Sequence, residues 1–262
     1  MNKQDDVMRT DMGWSTVDKI TVRGLDLPSQ ILGKLNLGDV AFLELTGRLP
    51  SERESVVFNA IAVTLVEHGI TPSAIATRMT YLGAPEAMQA AVAAGLCGLG
   101  TVFVGSTQSA ARILQTSLPK TGEKRDLAAI ARAVVGDYRA RKATIPGIGH
   151  PIHKPIDPRT PRLFAIAEEN GFSGDYVKLM VLIAKEAENV SGRSLPVNAT
   201  GAIAALACEL GLTPEMCQGI AVFSRAIGLV GHIVEEAKMP MAAKIWHQIE
   251  AQATRHVRSD AG

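Results

Sequence analysis

The sequence predicts an all-α protein, and three observations carry that expectation. Apolar residues recur at helical spacing in one segment after another of the 262-residue chain. These segments tend to open on a capping residue or a proline and to close at glycine. Alternation of period two with β-branched residues is nearly absent.

Residues 1–14 are polar, mixed in charge and without a periodic apolar face, which predicts a disordered start. Thr16 to Val22 is the best strand candidate, and it is short. Glu52 to Glu67 has helical spacing behind Ser51, with Glu54 three residues on to complete a capping box, and the helix is expected to end at Gly69. From Pro85, PEAMQAAVAAGLCGLG opens with proline where a first turn tolerates it and then turns small on several faces. That composition predicts a buried or subunit-interface helix, too short and too glycine-rich at its end for a membrane span. Further helices are expected over Lys124 to Lys142, Pro161 to Asn170, Ser173 to Asn189 and Gly201 to Leu210, the last three stopped at or near Gly171, Gly192 and Gly211. Thr213 caps a last helix with Pro214 and Glu215 in its first turn, running to about Lys238.

Composition excludes several functions. The 27 lysines and arginines nearly balance the 26 aspartates and glutamates, so no polyanion-binding surface and no nucleic-acid partner are implied. Cys97, Cys208 and Cys217 lie in apolar stretches without paired or metal-type spacing, which reads as buried thiols in a reducing compartment. The first residues resemble neither a signal peptide nor a membrane anchor. The expectation is therefore a cytoplasmic protein without a membrane partner. The glycines of GLCGLG come after a helix rather than a strand and no P-loop lysine succeeds them, so tight turning explains them better than a phosphate cradle.

Chemical variety is concentrated between Ile145 and Leu163, IPGIGHPIHKPIDPRTPRL, which holds two histidines, an aspartate, two glycines and five prolines. The glycines permit a backbone path that brings His150 to a ligand, and the prolines stiffen the chain beyond it. A lone histidine in such a turn can equally serve only its own backbone. A metal set of His150, His153 and Asp157 lacks the helical spacing of zinc ligands.

Read with the rest of the chain, this loop resembles the citrate synthase superfamily. GIGHPIHKPIDPR, Gly147 to Arg159, is similar to that family's G-x-G-H-x-x-x-K-x-x-D-P-R loop. TVRGLDLPSQILGKLNLGDVAFLELTGRLP is similar to its opening segment, EHGITPSAIATR to its D-H-x-x-N-A-S-T-x-A-A-R pattern, and SRAIGLVGHIVEE to the stretch that carries a substrate arginine. The resemblance implies an all-α, two-lobed fold that works as a homodimer or a dimer-based homo-oligomer and handles an acyl-CoA and an oxo-dicarboxylate or tricarboxylate. It implies no cofactor beyond the coenzyme A thioester, which is itself the substrate, and no metal. The larger lobe would take residues 15–110 with 205–262 and the smaller one 111–204. His68, His150, Arg159 and Arg225 match positions that surround the oxaloacetate half in the family. Guanidinium groups suit the carboxylates of a dianion, and a histidine suits proton exchange with its carbonyl or hydroxyl oxygen. Lys154 sits where a basic residue would meet the phosphates of coenzyme A.

Two departures shape the functional expectation. The family's synthases carry H-G-G-A-N after the small-residue helix, with the histidine hydrogen-bonded to the enolate; here the segment is FVGST, with Phe103 in its place. ATP-citrate lyase resembles this arrangement, which favours cleavage of citryl-CoA over its synthesis. LPVNATGAIAALACELG is similar to the family segment N-V-D, whose aspartate moves the acetyl-side proton, but Asn198 and Ala199 are followed by Thr200. A threonine hydroxyl is a poor general base. Glu67 and Glu188 are other carboxylates that could fill the vacated place. Asn198 and Phe103 are expected to line the substrate. The favoured reading is a lyase that splits citryl-CoA or a related 3-hydroxy-acyl-CoA: His150 accepts the hydroxyl proton, His68, Arg159 and Arg225 hold the oxo acid, and water or Thr200 returns a proton to the enolate. The alternatives are a citrate or methylcitrate synthase and a non-catalytic binding protein.

Overall fold

The computed structural model describes residues 8–118, 126–150 and 152–258. Three short antiparallel strands, β1 (Gly13–Ser15), β2 (Ile20–Val22) and β3 (Leu25–Asp26), form a sheet in that order, with Trp14 opposite Thr21 and Val22 opposite Leu25. Ordered structure thus begins at Gly13, inside the stretch expected to be disordered, of which residues 1–7 lie outside the described residues. The strand expected over Thr16 to Val22 is confined to its last three residues.

The remaining elements are helical: α1 (Leu37–Thr46), α2 (Glu52–Val66), α3 (Pro72–Gly83), α4 (Met88–Cys97), α5 (Gly105–Ser117), α6 (Leu127–Ala140), α7 (Arg159–Glu169), α8 (Asp175–Ser191), α9 (Ala199–Glu209), α10 (Pro214–Lys238), α11 (Ala242–Ala253) and α12 (Arg255–Arg258). The local chemistry accounts for their starts. Ser51 and Glu54 form the reciprocal capping box ahead of α2. Thr71 with Pro72, and Thr213 with Pro214, open α3 and α10, each threonine accepting a backbone N–H from the first turn. The small-residue helix α4 begins at Met88 rather than Pro85, without a side-chain cap. Its Gly95 lies against α3, where a Cβ would stand 2.8 Å from the Ser73 carbonyl oxygen. The helix expected from Lys124 starts at Leu127; residues 124 and 125 lie outside the described residues.

At the centre lies α9, buried along Ala199 and Gly201 to Cys208 and contacted by α2, α5, α7, α8 and α10. Its alanines and glycine let these neighbours approach closely, so one apolar cluster runs from Phe42 and Phe58 through Leu163, Met180 and Ile203 to Ile220. Phe42 meets Phe58 edge to face at 5.2 Å, and Phe58 stacks on Phe223 at 6.4 Å. By length and composition α10 is apolar enough to cross a membrane. In this fold it packs against α2, α3, α4 and α5.

One junction positions the chemistry. Ile148 pairs with Val197 in an isolated antiparallel bridge. Around it, Gly149 N–H donates to Pro196 O (2.7 Å) and Asn198 N–H to Gly147 O (3.0 Å). The loop ahead of His150 is thereby tied to the start of α9. Gly147 has φ 89°, and a Cβ there would stand 2.8 Å from Gly201 Cα. Only glycine serves this crossing.

Candidate active site

His150 is half-buried at the end of the tied loop. Its Nδ1 accepts the backbone N–H groups of Ile152 (3.1 Å) and His153 (2.9 Å). An Nδ1 that accepts leaves the proton of the neutral ring on Nε2, so His150 presents a donor to the site. This corrects the expectation that His150 takes up the hydroxyl proton. Its pKa is lowered by burial and then by His153, whose ring lies 4.4 Å away, with Asp157 opposing.

Asp157 is fully buried, and Arg159 at the start of α7 forks onto it, Nε to Oδ1 at 3.0 Å and Nη2 to Oδ2 at 2.8 Å. The carboxylate also accepts the backbone N–H of Arg159 (3.1 Å) and of Ala199 (2.9 Å), so it joins α7 to α9. Burial alone would raise its pKa, but the hydrogen bonds from Arg159 and Ala199 outweigh that and hold it at about 2. The aspartate considered as a metal ligand is therefore the counter-ion of Arg159. Among the described residues no three His, Cys, Asp or Glu side chains gather as a metal site.

Arg225 on α10 is different. Its Nη1 is buried and has no hydrogen-bond partner, and burial lowers its pKa, with the Glu67 charge opposing. His68, in the turn between α2 and α3, feels desolvation first and then Arg159, Arg225 and His153, all lowering its pKa, while Asp157 raises it. His68, His150, His153, Asp157, Arg159 and Arg225 thus share one electrostatic neighbourhood contributed by α10, α7 and two loops. An imidazole that presents a donor, a second imidazole and two arginines, one with a buried nitrogen that lacks a hydrogen-bond partner among the described residues, suit an anion with a reactive oxygen.

The other expected residues do not enter the electrostatic surroundings of the two histidines. Asn198 spends its amide on the fold: Nδ2 donates to Gly149 O (2.7 Å), while Oδ1 accepts from Gly201 N (3.1 Å) as the cap of α9 and from Thr200 Oγ1 (2.7 Å). It holds the His150 loop to the start of α9. The Thr200 hydroxyl proton is engaged by Asn198, which leaves it only lone pairs to offer. Phe103, in the π-helical turn Gly100–Val104 before α5, is half exposed beside the more exposed Val102. Lys154 is exposed, next to His153 in the chain. Neither carboxylate that could replace an aspartate at Thr200 does so. Glu188 accepts from Leu195 N (2.7 Å), and Glu67 accepts from His68 N (2.9 Å) and Gly69 N (2.5 Å). Sequence reasoning missed the place of His153 in the site and the pairing of Asp157; the i, i+2 spacing of Asp157 and Arg159 was the available signal. A cavity of about 320 Å³ lies behind the loop, lined by residues that include Tyr138, Arg139, Ile145, Ile148, Val190 and Leu195.

Comparison with known proteins gives a consistent picture. A family model described as citrate synthase, C-terminal domain, matches residues 34–247. The citrate synthase of Heyndrickxia coagulans is 25% identical over 211 residues, 80% of this chain and 54% of that protein; the chain spans about half the length of this curated relative. The structure of citryl-CoA lyase from Hydrogenobacter thermophilus superposes with a TM-score of 0.80 at 34% identity, covering 89% of this chain and 88% of that one. ATP citrate lyase from Methanothrix soehngenii, in complex with citrate and coenzyme A, shares the fold, with a TM-score of 0.74 at 21% identity over 91% of this chain and 40% of that one.

Proposed function

Because the chain belongs to the citrate synthase family, we propose that it is a carbon–carbon lyase that cleaves citryl-CoA, or a closely related 3-hydroxy-acyl-CoA, to an oxo acid and an acyl-CoA. The observation that carries this reading is the 34% identity to a citryl-CoA lyase over nearly the whole of both chains. Arg225 supports the substrate class, since its buried Nη1, without a hydrogen-bond partner among the described residues, is satisfied by a carboxylate.

In the proposed reaction the substrate hydroxyl loses its proton, the electrons of that O–H bond form the carbonyl, and the C–C bond electrons pass to the thioester as an enolate. The enolate is then protonated at carbon. His150 donates Nε2–H to the oxygen that becomes the carbonyl. The base is His68, whose pKa is lowered by desolvation and by the charges of Arg159 and Arg225. Arg225 and the outer nitrogen of the Arg159 fork bind the carboxylates. With no carboxylate at Thr200, a water molecule relays the proton from His68 to the enolate carbon, which restores both the water and the base.

Other parts of the proposal concern binding and assembly. The thioester lies along the His150 loop, with Lys154 toward its phosphates and the cavity beside Arg139 open to its apolar portions. No other cofactor is needed for this chemistry. The larger lobe, 15–110 with 205–262, and the smaller one, 111–204, meet at the site. Two copies associate through apolar surface such as the exposed Val222, Ile227, Val230 and Val234 of α10. A cytoplasmic location suits the unpaired thiols.

A synthase is the second reading, favoured by the donor state of His150, which equally suits the carbonyl oxygen of an oxo acid being attacked. The test separates the readings. Purified protein incubated with citryl-CoA is expected to yield oxaloacetate and acetyl-CoA in equal amounts by mass spectrometry. Hydrolysis of citryl-CoA to citrate and free coenzyme A, with citrate formed from oxaloacetate and acetyl-CoA, identifies a synthase, and thermal stabilisation by oxaloacetate without turnover identifies a binding protein.

A further inference from the structure

A second polar cluster lies behind the site, on α3 and α10. Arg78 of α3 is fully buried. Its Nη1 donates to Glu236 Oε2 at 2.7 Å, its Nη2 also pairs with Glu235, and Nε and Nη2 face His232 Nδ1 at 3.2 and 2.8 Å. Glu236 Oε1 accepts the N–H groups of Met241 and Ala242, both at 2.8 Å, and so anchors the start of α11, which has no side-chain cap of its own. One end of the cluster is accounted for by this anchoring. The other end leads elsewhere.

Because a guanidinium has only donors, the Nδ1 of His232 must be a lone pair and its ring proton must sit on Nε2. That nitrogen points at Glu67, 3.2 Å from each carboxylate oxygen. Glu67 in turn accepts the backbone N–H groups of His68 and Gly69, the second of which has φ 73°. The path from a buried cation to the turn bearing His68 is thus continuous: guanidinium, imidazole, carboxylate, two peptide N–H groups. The helices are fitted for it, since a Cβ at Gly228 of α10 would come within 3.1 Å of Glu67 Oε2.

We propose that His232 is a positioning residue for His68, acting through Glu67. The proposal rests on the reading that His68 faces the oxo-acid end of the substrate. Glu67 is exposed at its outer side, and an exposed carboxylate at a helix end has many conformers of similar energy; an imidazole oriented by Arg78 selects the one that caps the His68 turn. The chemistry restricts the residue type. Lysine or arginine cannot accept from Arg78, and a carboxylate cannot donate to Glu67. Glutamine, with an amide oxygen to accept and an amide nitrogen to donate, can do both.

The readout is the His68 imidazole itself, followed by its Cε1 proton resonance against pH in the full chain. In the parent its pKa lies below 6.5 through desolvation and the charges of Arg159, Arg225 and His153, against Asp157. Releasing the turn in His232→Leu is expected to return it toward 6.5 and to lower kcat for citryl-CoA cleavage by on the order of tenfold, as misplacement of a reacting group does. His232→Gln is expected to retain the parent's titration and to restore most of kcat. Glu67→Ala should reproduce the His232→Leu titration, and the double variant should add nothing to either single change. An unchanged His68 titration in folded His232→Leu, or additive effects in the double variant, overturns the proposal. If His232→Leu fails to fold, Glu67→Ala and His232→Gln carry the same comparison, a parent-like His68 in Glu67→Ala or a released one in His232→Gln counting against it. A parent protein that does not cleave citryl-CoA refutes the reaction, while the titrations still decide the positioning.

Discussion

The two arginines of the site carry the same charge in opposite circumstances. Arg159 is the partner of a fully buried aspartate that also accepts the Ala199 N–H, so its guanidinium belongs to the fold. Arg225 projects a buried nitrogen that meets no acceptor. One corner is complete without a ligand and the other is not. The difference shows which arginine reports on what the protein binds. Two guanidinium groups brought together would ordinarily demand an anion between them, yet Asp157 already compensates one, and the demand falls on Arg225.

Replacing each arginine tests the contrast most strongly. Arg225→Leu is expected to lower kcat/KM for citryl-CoA by about a hundred- to ten-thousand-fold, the worth of one or two charge-assisted hydrogen bonds, while the melting temperature holds or rises because a buried nitrogen without a hydrogen-bond partner is gone. Arg159→Leu should lose activity and also about 2 to 3 kcal/mol of stability in urea unfolding, since it strands Asp157. If both variants lose stability alike, the two corners are not built differently.

Acid sharpens the comparison at its paired end. Asp157, held at about 2 against an ordinary 3.8, is depressed in the folded state, so its contribution is fully present above about pH 4 and is lost as pH falls through 2. The parent is expected to lose roughly 2 kcal/mol across that window, and Asp157→Asn should lack this component when unfolding is followed at each pH.

The smallest effect concerns the side of the site that has no charge to compare. Thr200→Asp restores a carboxylate in the first turn of α9, where a helix N-terminus favours it. Deuterium exchange into the acetyl group of acetyl-CoA, measured with oxaloacetate present, should accelerate by about tenfold, below the usual range for a well-placed base because Phe103 offers no donor to the enolate. Equal, rapid exchange in parent and variant would mean that another group already moves this proton.

Much of this was legible in the sequence where the signal was local. The capping box at Ser51 and the Thr213–Pro214 start each depend on residues within one turn, and both are found in the structure. α1, α3, α5 and α11 went unread as helices, and β1 and β3 are too short for any period to register. In the site, the motif resemblance selected His68, His150, Arg159 and Arg225, which do share a neighbourhood. What the pattern could not convey was who bonds to whom. Asn198 and Gly149 lie far apart in the chain, so the use of that amide as a clamp, and the donor state of His150, depend on contacts that only folding creates.

The crossing of Gly147 over Gly201 has a consequence for how this chain can diverge. A methyl group at Gly147 would meet Gly201 Cα at 2.8 Å, and one at Gly201 would stand 2.9 Å from Gly147 Cα, so neither can be relieved by changing the other. Compensating pairs, the usual route by which buried contacts drift, are closed here because each position already holds the smallest residue. Descendants of this sequence can exchange exposed residues such as Phe103 without meeting this constraint. They must do so on a backbone crossing that permits no such variation.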